Sequence, residues 1–368
     1  MENSKVRLGV LFGGKSAEHE VSLLSAKNIV DALDKEKYDI FLIGIDKTGE
    51  WRLREGDVYL NHADNPKNIQ LQEAGDSLAL VPQNHRKELV SYSNGALQEA
   101  LKLDVIFPIL HGTYGEDGTV QGLLQLANIP FVGAGVLGSA VGMDKDVMKR
   151  LLRDAHIPTA PFLTVHDYNR DAFSFESVVE KFGLPFFVKP ANMGSSVGIS
   201  KVKNKEDFEA ALTEAFSYDH KILIEEFIQA REIECAVLGN EHPIASLPGE
   251  VIVQEEFYSY EAKYVSDSGT LFKIPVELPV HVTERIQQLA VDAYRVLCCE
   301  GMARVDFFLR DNGDVLVNEI NTIPGFTPMS PYPKLWAASG LPLTELLDCL
   351  IEFAVERHEK QARLKTTF

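Results

Sequence analysis

The sequence has few cysteines and no long apolar run. Cys235 and Cys349 stand alone among its 368 residues, and the other two cysteines, Cys298 and Cys299, are adjacent. Neither a disulfide framework nor a zinc-binding pair has this spacing, so both are excluded. No stretch approaches the roughly 18 apolar residues that a transmembrane helix requires, and residues 1–5 lead directly into a strand pattern instead of a signal peptide. We therefore expect a cytoplasmic protein without a membrane partner.

Positive charge is also scarce. The 36 lysines and arginines are outnumbered by 54 acidic residues, and the formal net charge is −18. A protein that binds nucleic acid or an anionic membrane presents a basic face, so this balance argues against both partners. An acidic protein that binds a nucleotide must gather its lysines locally. Apolar content of 45% and charged content of 24% are typical of a soluble globular protein, and the length predicts two or three domains.

The first third of the sequence alternates strand and helix patterns. Strands are predicted at 6–12, 38–45 and 105–110, with a helix at about 16–33. Such alternation predicts a parallel sheet with helical crossovers, whose ligands lie beyond the carboxyl ends of the strands. Residues 47–94 are polar, and we expect them to form an irregular, solvent-facing insertion with a few short strands and no function.

A glycine-rich stretch at 133–138 separates this segment from a second α/β unit. Strand and helix patterns alternate over 160–228, and a third block contains strands within 233–253, a helix at about 282–299 and a helix from about Leu343. The 133–138 stretch matches the dinucleotide-binding glycine pattern but lacks the strand–turn–helix context that such a site requires. We interpret it as a linker, and an oxidoreductase built on it is the alternative from another reaction class.

The pattern around Asn312-Gly313 predicts a metal site. Apolar, β-prone runs flank this dipeptide, which indicates a strand, a type I′ turn and a second strand. Pairing outward from the turn places Asp306 opposite Glu319 and Arg304 opposite Asn321 on one face, and a four-residue loop would give the same pairs. Opposed carboxylates repel each other, and with an amide oxygen nearby they suit Mg²⁺ or Mn²⁺ arriving with phosphates. The alternative is a solvated hairpin face.

A glycine loop at 194–198 lies between two predicted strands. Its backbone N–H groups and the Ser195 and Ser196 hydroxyls could hold phosphate oxygens, although the lysine and helix of a Walker loop are missing. Lys189 ends the preceding apolar strand, where an ammonium group needs an anion. A simple turn is the alternative interpretation.

Three further features are compatible with nucleotide binding. Lys145 lies in the first turn of a helix that Asp144 caps, where a cation is unfavourable unless an anion lies nearby. Residues 224–228 end a strand at the junction of two units, where an adenine could bind, and Glu232 could accept a hydrogen bond from a ribose hydroxyl. The glutamates could equally be edge-strand charges.

The carboxyl ends of the first strands carry a polar cluster. Glu18 follows the loop 13–16 in the first turn of the first helix, where a capping role is as plausible as a chemical one. His111 ends another strand at the same edge and is followed by the polar stretch 114–118. Together these residues could hold the ammonium group of an amino acid.

The motifs together resemble the D-alanine–D-alanine ligases of the ATP-grasp superfamily, over nearly the whole chain. This resemblance implies an α/β fold of three domains: a Rossmann-like parallel-sheet domain at 1–134, a central ATP-grasp subdomain at 135–225, and a carboxyl-terminal subdomain at 226–368 that contains a lid at 258–269 and the metal hairpin at 301–321. The motifs that carry it, in the family's order and spacing, are 13–22, 111–112, 143–145, 188–190 with 194–198, 261–264 and 318–326.

The resemblance implies a role for each candidate residue. Glu18, assisted by His111, would bind the ammonium of the first D-alanine, and Ser330 would bind the carboxylate of the second. Arg304 and the Gly325 N–H would stabilise the oxyanion. Ser195 and Tyr264 would join Glu18 in closing the lid. ATP would be bound by Lys145, Lys189, Ser195, Ser196, Glu225, Phe227, Ile228, Glu232 and Lys263. Two Mg²⁺ ions, or Mn²⁺ in their place, would be bound by Asp306, Glu319 and Asn321.

The implied activity is the ATP-dependent joining of two D-alanines for peptidoglycan synthesis, by a homodimer. Two residues depart from the family pattern: Pro331 replaces a backbone N–H donor beside Ser330, so recognition would rest on the Ser330 hydroxyl and amide, and Glu226 stands where some relatives have lysine. Other ATP-grasp ligases, including those that use D-lactate or D-serine, and a nonenzymatic nucleotide-binding protein are the remaining alternatives. Tyr264 favours D-alanine over D-lactate, because relatives that accept D-lactate carry histidine there.

Overall fold

The chain forms three larger β-sheets with helices packed around them. The structure, a computed structural model, describes residues 5–54, 59–63, 68–72, 75–80, 88–93, 96–253 and 270–365. The predicted lid at 258–269, with Lys263 and Tyr264, lies outside these residues. Within them, no helix combines the length and the hydropathy needed to span a membrane.

The first sheet has a parallel centre, as the alternating pattern predicts. Strand β1 (Val6–Gly13) pairs in parallel with β2 (Tyr38–Ile45) and with β9 (Val105–Ile109). Helix α1 (His19–Ala32) makes the crossover, because Leu23, Ala26 and Ile29 recur every three residues and are buried. The carboxyl ends of β1 and β9 therefore lie side by side, and this edge carries Glu18 and His111.

Residues 47–94 contain the few short strands that were expected, but these strands belong to the first sheet and do not form an irregular insertion. Strands β3 (Trp51–Arg54), β6 (Ser77–Leu80), β7 (Glu88–Ser93) and β8 (Ala96–Lys102) extend the first sheet in antiparallel fashion, in the order β8-β7-β6-β3-β2-β1-β9. Two short strands, β4 (Leu60–Asn61) and β5 (Gln70–Leu71), pair separately. The strands of the extension join the first sheet because their apolar residues, among them Leu78, Leu89 and Leu101, are buried in one core cluster with Leu11 and Ile43.

The second sheet is antiparallel and forms the middle unit. Its strands are β10 (Phe162–His166), β11 (Phe186–Pro190), β12 (Ser200–Val202) and β13 (Lys221–Glu226), in the order β10-β13-β11-β12. Helices α5 (Phe175–Phe182) and α6 (Lys205–Tyr218) and a 3₁₀ helix (Asp167–Ala172) complete the unit. The glycine loop at 194–198 joins β11 to β12, so the prediction of a glycine loop between strands is confirmed.

The third sheet is antiparallel and contains the predicted hairpin. Its strands are β14 (Arg231–Gly239), β15 (Ile244–Ala245), β16 (Gly249–Val253), β17 (Thr270–Lys273), β18 (Gly301–Leu309) and β19 (Val315–Asn321). The remaining helices are α2 (Thr119–Leu126), α3 (Val136–Met143), α4 (Lys145–Asp154), α7 (Val280–Val296), α8 (Pro331–Ala338) and α9 (Leu343–Ala362). Asp144 caps α4 by accepting from the N–H groups of Asp146 and Val147, as predicted.

Shared apolar cores fix the relative positions of the sheets. Leu8 and Phe107 of the first sheet belong to the same buried cluster as Ala236 and Met302 of the third. The second sheet has its own core, around Phe186 and Phe208. Met148 and Leu152 of α4 lie in the core of the third sheet. The sequence range 135–225 therefore contains helices that pack on different sheets.

Residues 133–138 have a packing role that the linker interpretation does not include. Helix α3 follows Gly135 directly. A Cβ atom at Gly138 would lie 2.4 Å from the carbonyl oxygen of Cys298, and one at Gly135 would lie 3.3 Å from Glu300 Oε2. These glycines admit the close approach of α3 to the segment before β18. No dinucleotide site is needed to explain the pattern.

Candidate active site

Two clefts meet where the three sheets converge. The first is bounded by the edge of the first sheet and the segment 323–331, and the second lies between the second and third sheets. Five residues line both clefts: Gly194, Ser195, Glu234, Arg304 and Glu319. A molecule bound in one cleft can therefore react with a molecule bound in the other across these side chains.

Glu18 connects the first sheet to the glycine loop. The Ser195 hydroxyl donates a short hydrogen bond to Glu18 Oε1, and the carboxylate is buried. Cβ atoms at Gly112 and Gly194 would lie 2.7 and 3.0 Å from Glu18 Oε2, so glycine is required for this close approach. The Glu18 side chain makes no capping hydrogen bond to α1. Of the two interpretations of Glu18, the structure disfavours capping.

Sequence reasoning did not single out Glu116 within the 114–118 stretch. Its Oε2 accepts from the Gly112 N–H at 2.7 Å, and its Oε1 accepts from the Ile323 N–H at 3.2 Å. Burial, reinforced by the nearby Glu18 carboxylate, raises the pKa of Glu116 to about 8. Glu116 therefore ties the edge of the first sheet to the segment that follows the hairpin.

His111 lines the first cleft, and both of its ring nitrogens contact protein atoms. Nδ1 is 3.1 Å from the Ile323 carbonyl oxygen and Nε2 is 3.3 Å from Ser25 Oγ. Ser25 Oγ also accepts from the Phe326 N–H at 3.1 Å. Burial lowers the pKa of His111 to about 4, so the imidazole is neutral at pH 7. The geometry suits positioning of residues 323–326 more than direct contact with an ammonium group.

The hairpin has the predicted pairs at the site but a different turn. Asp306 lies opposite Glu319 and Arg304 opposite Asn321. The type I′ turn is wrong: a three-residue loop, 311–313, is closed by the Arg310 N–H donating to the Asp314 carbonyl, and Gly313 has φ +88°. This loop shifts the register by one residue, as in the pair Leu309 and Val315. A bulge at position 318 shifts it back before the site.

Cations accompany both opposed carboxylates. The Arg304 guanidinium donates to both oxygens of Asp306, at 2.7 and 2.8 Å, and lies 3.4 Å from Glu234 Oε1. Lys145 Nζ lies 3.5 Å from Glu319 Oε2 and donates to the Met193 carbonyl at 2.7 Å. Glu234 was missed, although period-two alternation from Glu232 places it on the same face of β14.

The hairpin residues fit a hard divalent cation. Asp306 and Glu319 face each other directly, and the Asn321 amide nitrogen lies 3.0 Å from Asp306 Oδ2. Each carboxylate oxygen has two lone pairs, so Asp306 can accept from Arg304 and still coordinate a metal. No cluster of three or more His, Cys, Asp and Glu side chains with metal-binding geometry occurs in the described part of the chain. Coordination would need further oxygens, which phosphate and water supply.

The second cleft contains the lysines and apolar residues predicted for a nucleotide. It is lined by Lys145, Lys189, Ser196, Glu225, Phe227, Ile228 and Glu232. The rings of Phe187 and Phe227 are 6.0 Å apart, and Lys201 Nζ lies 4.2 Å from the centre of the Phe227 ring. The Glu225 carboxylate is an ion-pair partner of Lys189, at 2.9 Å. Ser195 and Ser196 have φ of 49° and 62°, so the loop is held in a conformation unusual for serine.

The far end of the first cleft contains the residues predicted for a second substrate. A Cβ atom at Gly325 would lie 2.7 Å from Ser330 Oγ, so these two residues are adjacent. The Ser330 N–H donates to the Thr327 carbonyl at 2.9 Å, and Ser330 Oγ is the acceptor for the Thr327 N–H. Pro331 occupies the first position of α8, where a backbone N–H has no helical partner. Because the Ser330 amide is used in this turn, the hydroxyl is the better candidate for carboxylate recognition.

Comparison with known proteins covers almost the entire chain. Residues 7–134 match the family described as D-ala D-ala ligase N-terminus, and residues 151–352 match D-ala D-ala ligase C-terminus. The chain is similar to D-alanine–D-alanine ligase A of Salmonella typhimurium, with 54% identity over 99% of this chain and 100% of the relative.

Two solved structures share the fold. The D-alanine–D-alanine ligase from Coxiella burnetii is 41% identical, with a TM-score of 0.83 over 98% of this chain and 96% of that one. The VanG D-Ala:D-Ser ligase from Enterococcus faecalis is 35% identical, with a TM-score of 0.82 over 95% of this chain and 100% of that one. These matches confirm the expected ATP-grasp fold.

Proposed function

Because the chain belongs to the D-alanine–D-alanine ligase family, we propose that it uses ATP to join two molecules of D-alanine, releasing ADP and phosphate. The product, D-alanyl-D-alanine, is the dipeptide of peptidoglycan synthesis. Assignment to this reaction agrees with the sequence interpretation and excludes the oxidoreductase alternative.

The observation that carries this proposal is the junction of the two clefts. A nucleotide in the second cleft would place its terminal phosphate among Ser195, Arg304 and Glu319, which also line the first cleft. An amino acid in the first cleft would place its ammonium near the carboxylate of Glu18. The transferred phosphate and the carboxylate that accepts it would then meet at the same point.

The first step is the activation of the first D-alanine. Its carboxylate oxygen attacks the γ-phosphorus of ATP, the bond between the γ-phosphorus and the β,γ-bridging oxygen breaks, and ADP leaves with that oxygen. The product is D-alanyl phosphate. Lys145 and Lys189 would neutralise the phosphates, and Glu18 with Ser195 would orient the ammonium group.

The second step forms the peptide bond. The neutral amine of the second D-alanine attacks the acyl carbon and forms the C–N bond, the C–O bond to phosphate breaks, and the nitrogen gives its extra proton to the departing phosphate. Arg304 and the Gly325 N–H would stabilise the oxyanion, and the Ser330 hydroxyl would hold the second carboxylate. Asp306, Glu319 and Asn321 would hold the divalent cations, which neutralise phosphate charge when bound. We propose two Mg²⁺ ions.

A screen of amino acids tests the proposed activity. The purified protein is supplied with ATP, Mg²⁺ and each D- or L-amino acid in turn, and phosphate release is measured alongside product mass. We expect release with D-alanine and a product of the mass of D-alanyl-D-alanine. ATP binding without amino-acid-dependent release would instead support the nonenzymatic alternative.

D-Serine and D-lactate are tested as second substrates in the same assay. The similarity to a D-Ala:D-Ser ligase is a reason to include D-serine. We propose that D-alanine is the preferred acceptor at pH 7. The sequence basis of that preference, Tyr264, lies outside the described residues. A product mixture dominated by D-alanyl-D-serine or D-alanyl-D-lactate would contradict the preference while leaving the ligase activity intact.

We also propose that the protein is a homodimer and assign the interface to helices α2 and α3. Neither helix contains a charged residue, although 24% of the chain is charged. Leu123, Leu126, Val136 and Leu137 are exposed on them, with Leu126 at 77% and Leu137 at 61%. Two copies that each carry a net charge of −18 repel least where the surface is uncharged and apolar.

Light scattering during size-exclusion chromatography tests this interface. Leu137→Asp should convert the dimer to a monomer, because it places a carboxylate in the apolar contact. Val280→Asp is the control, since Val280 is 73% exposed at the start of α7. A monomeric wild-type protein, or an unchanged dimer in Leu137→Asp, would contradict the assignment.

A further inference from the structure

Lys149 is a fully buried lysine that the mechanism does not use. It lies in α4 one helical turn after Lys145, so both side chains project from the same face of the helix. Lys149 has 0% exposure, and its Nζ lies 3.0 Å from Glu225 Oε2. A buried ammonium requires an anion, and Glu225 supplies it. Lys149 does not line either cleft.

Glu225 is shared between two lysines. Lys149 Nζ and Lys189 Nζ approach the same carboxylate oxygen, Oε2, at 3.0 and 2.9 Å. Glu225 lies on β13, the strand between β10 and β11, and is 3% exposed. Lys189 lines the nucleotide cleft, and Lys149 does not. The three side chains therefore form a buried row with one charge left uncompensated.

We propose that Lys149 is a positioning residue that neutralises Glu225 and thereby keeps the charge of Lys189 available for a nucleotide phosphate. This inference rests on the nucleotide site of the proposed function. With Lys149 present, the row carries a net charge of +1 toward the cleft. Without it, Glu225 and Lys189 form a closed pair with no net charge, and a phosphate must compete with Glu225 for the Lys189 ammonium.

The ionisation of the row supports this account. Burial alone would raise the pKa of Glu225, but Lys149 and Lys189 outweigh it and the pKa is lowered, so the carboxylate is charged. Burial lowers the pKa of Lys149 to about 8 against the opposing effect of Glu225. Lys149 is thus mainly protonated at pH 7, where the experiment is performed.

Nucleotide affinities measured without D-alanine test the proposal. Calorimetry at pH 7 with Mg²⁺ gives the Kd of ADP and of adenosine for the wild type and for Lys149→Met, which keeps an unbranched side chain of similar size and removes the charge. ADP should bind about 10-fold more weakly to the variant, as expected for losing a unit charge near an anion in a partly buried site. Adenosine affinity should stay within about twofold of the wild type, because adenosine has no phosphate.

Arg150→Met is the matched control. It removes one positive charge from the same helix, but the Arg150 side chain is 54% exposed and pairs with Asp146 at 2.6 Å. Its effect on the ADP affinity should be small. A loss equal to that of Lys149→Met would show that overall charge, and not the buried row, sets the affinity.

A double variant separates electrostatic compensation from a structural role. In Lys149→Met with Glu225→Gln, the positive charge of Lys189 no longer has an anionic partner in Glu225. The ratio of ADP to adenosine affinity should therefore return to within about threefold of the wild-type ratio. Thermal midpoints report folding, and the double variant decides the question even if Lys149→Met alone does not fold. A double-variant ratio that stays about 10-fold below the wild-type ratio, or an unchanged ratio in the single variant, overturns the proposal. A wild type that binds no ADP would instead refute the nucleotide site itself.

Discussion

We propose two roles for Arg304, one as an oxyanion donor and one as the cation that pairs with buried carboxylates. Its guanidinium pairs with Asp306 and lies 3.4 Å from Glu234, and it borders both clefts. Arg304→Ala should lower kcat by roughly 10²- to 10³-fold, the loss expected for one oxyanion donor. Stability should also fall, because two largely buried carboxylates lose their cation. Steady-state kinetics and thermal midpoints measure the two effects.

Arg304→Lys is the control for charge. Lysine keeps the cation but cannot donate to both oxygens of Asp306, so the thermal midpoint should recover more than kcat does. If Arg304→Ala weakens ADP binding and leaves kcat unchanged, the residue is a phosphate ligand and the oxyanion role is wrong.

Glu319 should be more important for metal-dependent turnover than for folding. The negatively charged Glu319 lies directly opposite the negatively charged Asp306 in the hairpin, and the Glu319 side chain is 27% exposed. Glu319→Gln should therefore raise the Mg²⁺ concentration needed for half-maximal turnover while leaving the thermal midpoint unchanged or slightly higher. An unchanged Mg²⁺ dependence would refute the metal assignment.

Glu116 should make stability depend on pH. Its pKa is raised from 4.5 to about 8 in the folded protein by burial and by Glu18. The folded state thus holds a proton that the unfolded state releases above pH 4.5. The resulting contribution to the free energy of unfolding is complete below pH 4.5 and is lost as pH rises toward 8.

Urea unfolding at several pH values tests this dependence. Glu116→Gln should lose less stability than the wild type between pH 5 and about 8, because the amide does not ionise. Glu176→Gln is the control, since hydrogen bonding to Lys205 lowers the pKa of Glu176 and this carboxylate stays ionised in that range. Parallel pH profiles for the wild type and Glu116→Gln would contradict the prediction.

In the hairpin, a substitution in the turn tests backbone conformation separately from side-chain packing. Gly313 has φ +88°, and a Cβ atom there would have no neighbour within 4 Å. Gly313→Ala should therefore destabilise the fold by about 1 kcal/mol through backbone strain alone. Gly313→Asn should lose less, because asparagine tolerates the left-handed region. Urea unfolding measures both, and equal losses would contradict the backbone explanation.

The hairpin also shows how far sequence reasoning reaches. Alternation and the Asn312-Gly313 signal predicted Asp306 opposite Glu319, and the structure has this pair. The turn itself was wrong, and the bulge at 318 restores the register. The bulge leaves Asn318 and Glu319 both partly exposed, which breaks the alternation of buried and exposed residues. Because both residues are polar, the sequence does not show where this break occurs. The pattern of apolar and polar residues in one sequence therefore does not locate such a bulge.

At the scale of the molecule, local patterns identified the units but not their contacts. The parallel centre of the first sheet follows from periodicity, as do the strands and helices of the middle unit, but alternation did not predict that the middle sheet is antiparallel. Short strands were expected within 47–94, but local patterns did not show that they extend the first sheet. The Gly133–Gly138 pattern was read as a linker because a glycine that admits close packing leaves no periodic signal. Glu234 was missed, and Glu116 was not singled out within the predicted polar stretch 114–118, because their contacts arise only where the three sheets converge.

The central claim is that the protein makes a dipeptide through an acyl phosphate. D-Alanine labelled with ¹⁸O in its carboxylate, supplied with ATP and Mg²⁺, tests this most directly by mass spectrometry of the released phosphate. The attacking carboxylate oxygen stays with phosphorus when the amine displaces it. We therefore expect one labelled oxygen in each phosphate, together with D-alanyl-D-alanine. Unlabelled phosphate accompanying the dipeptide, or phosphate released without dipeptide, would contradict it.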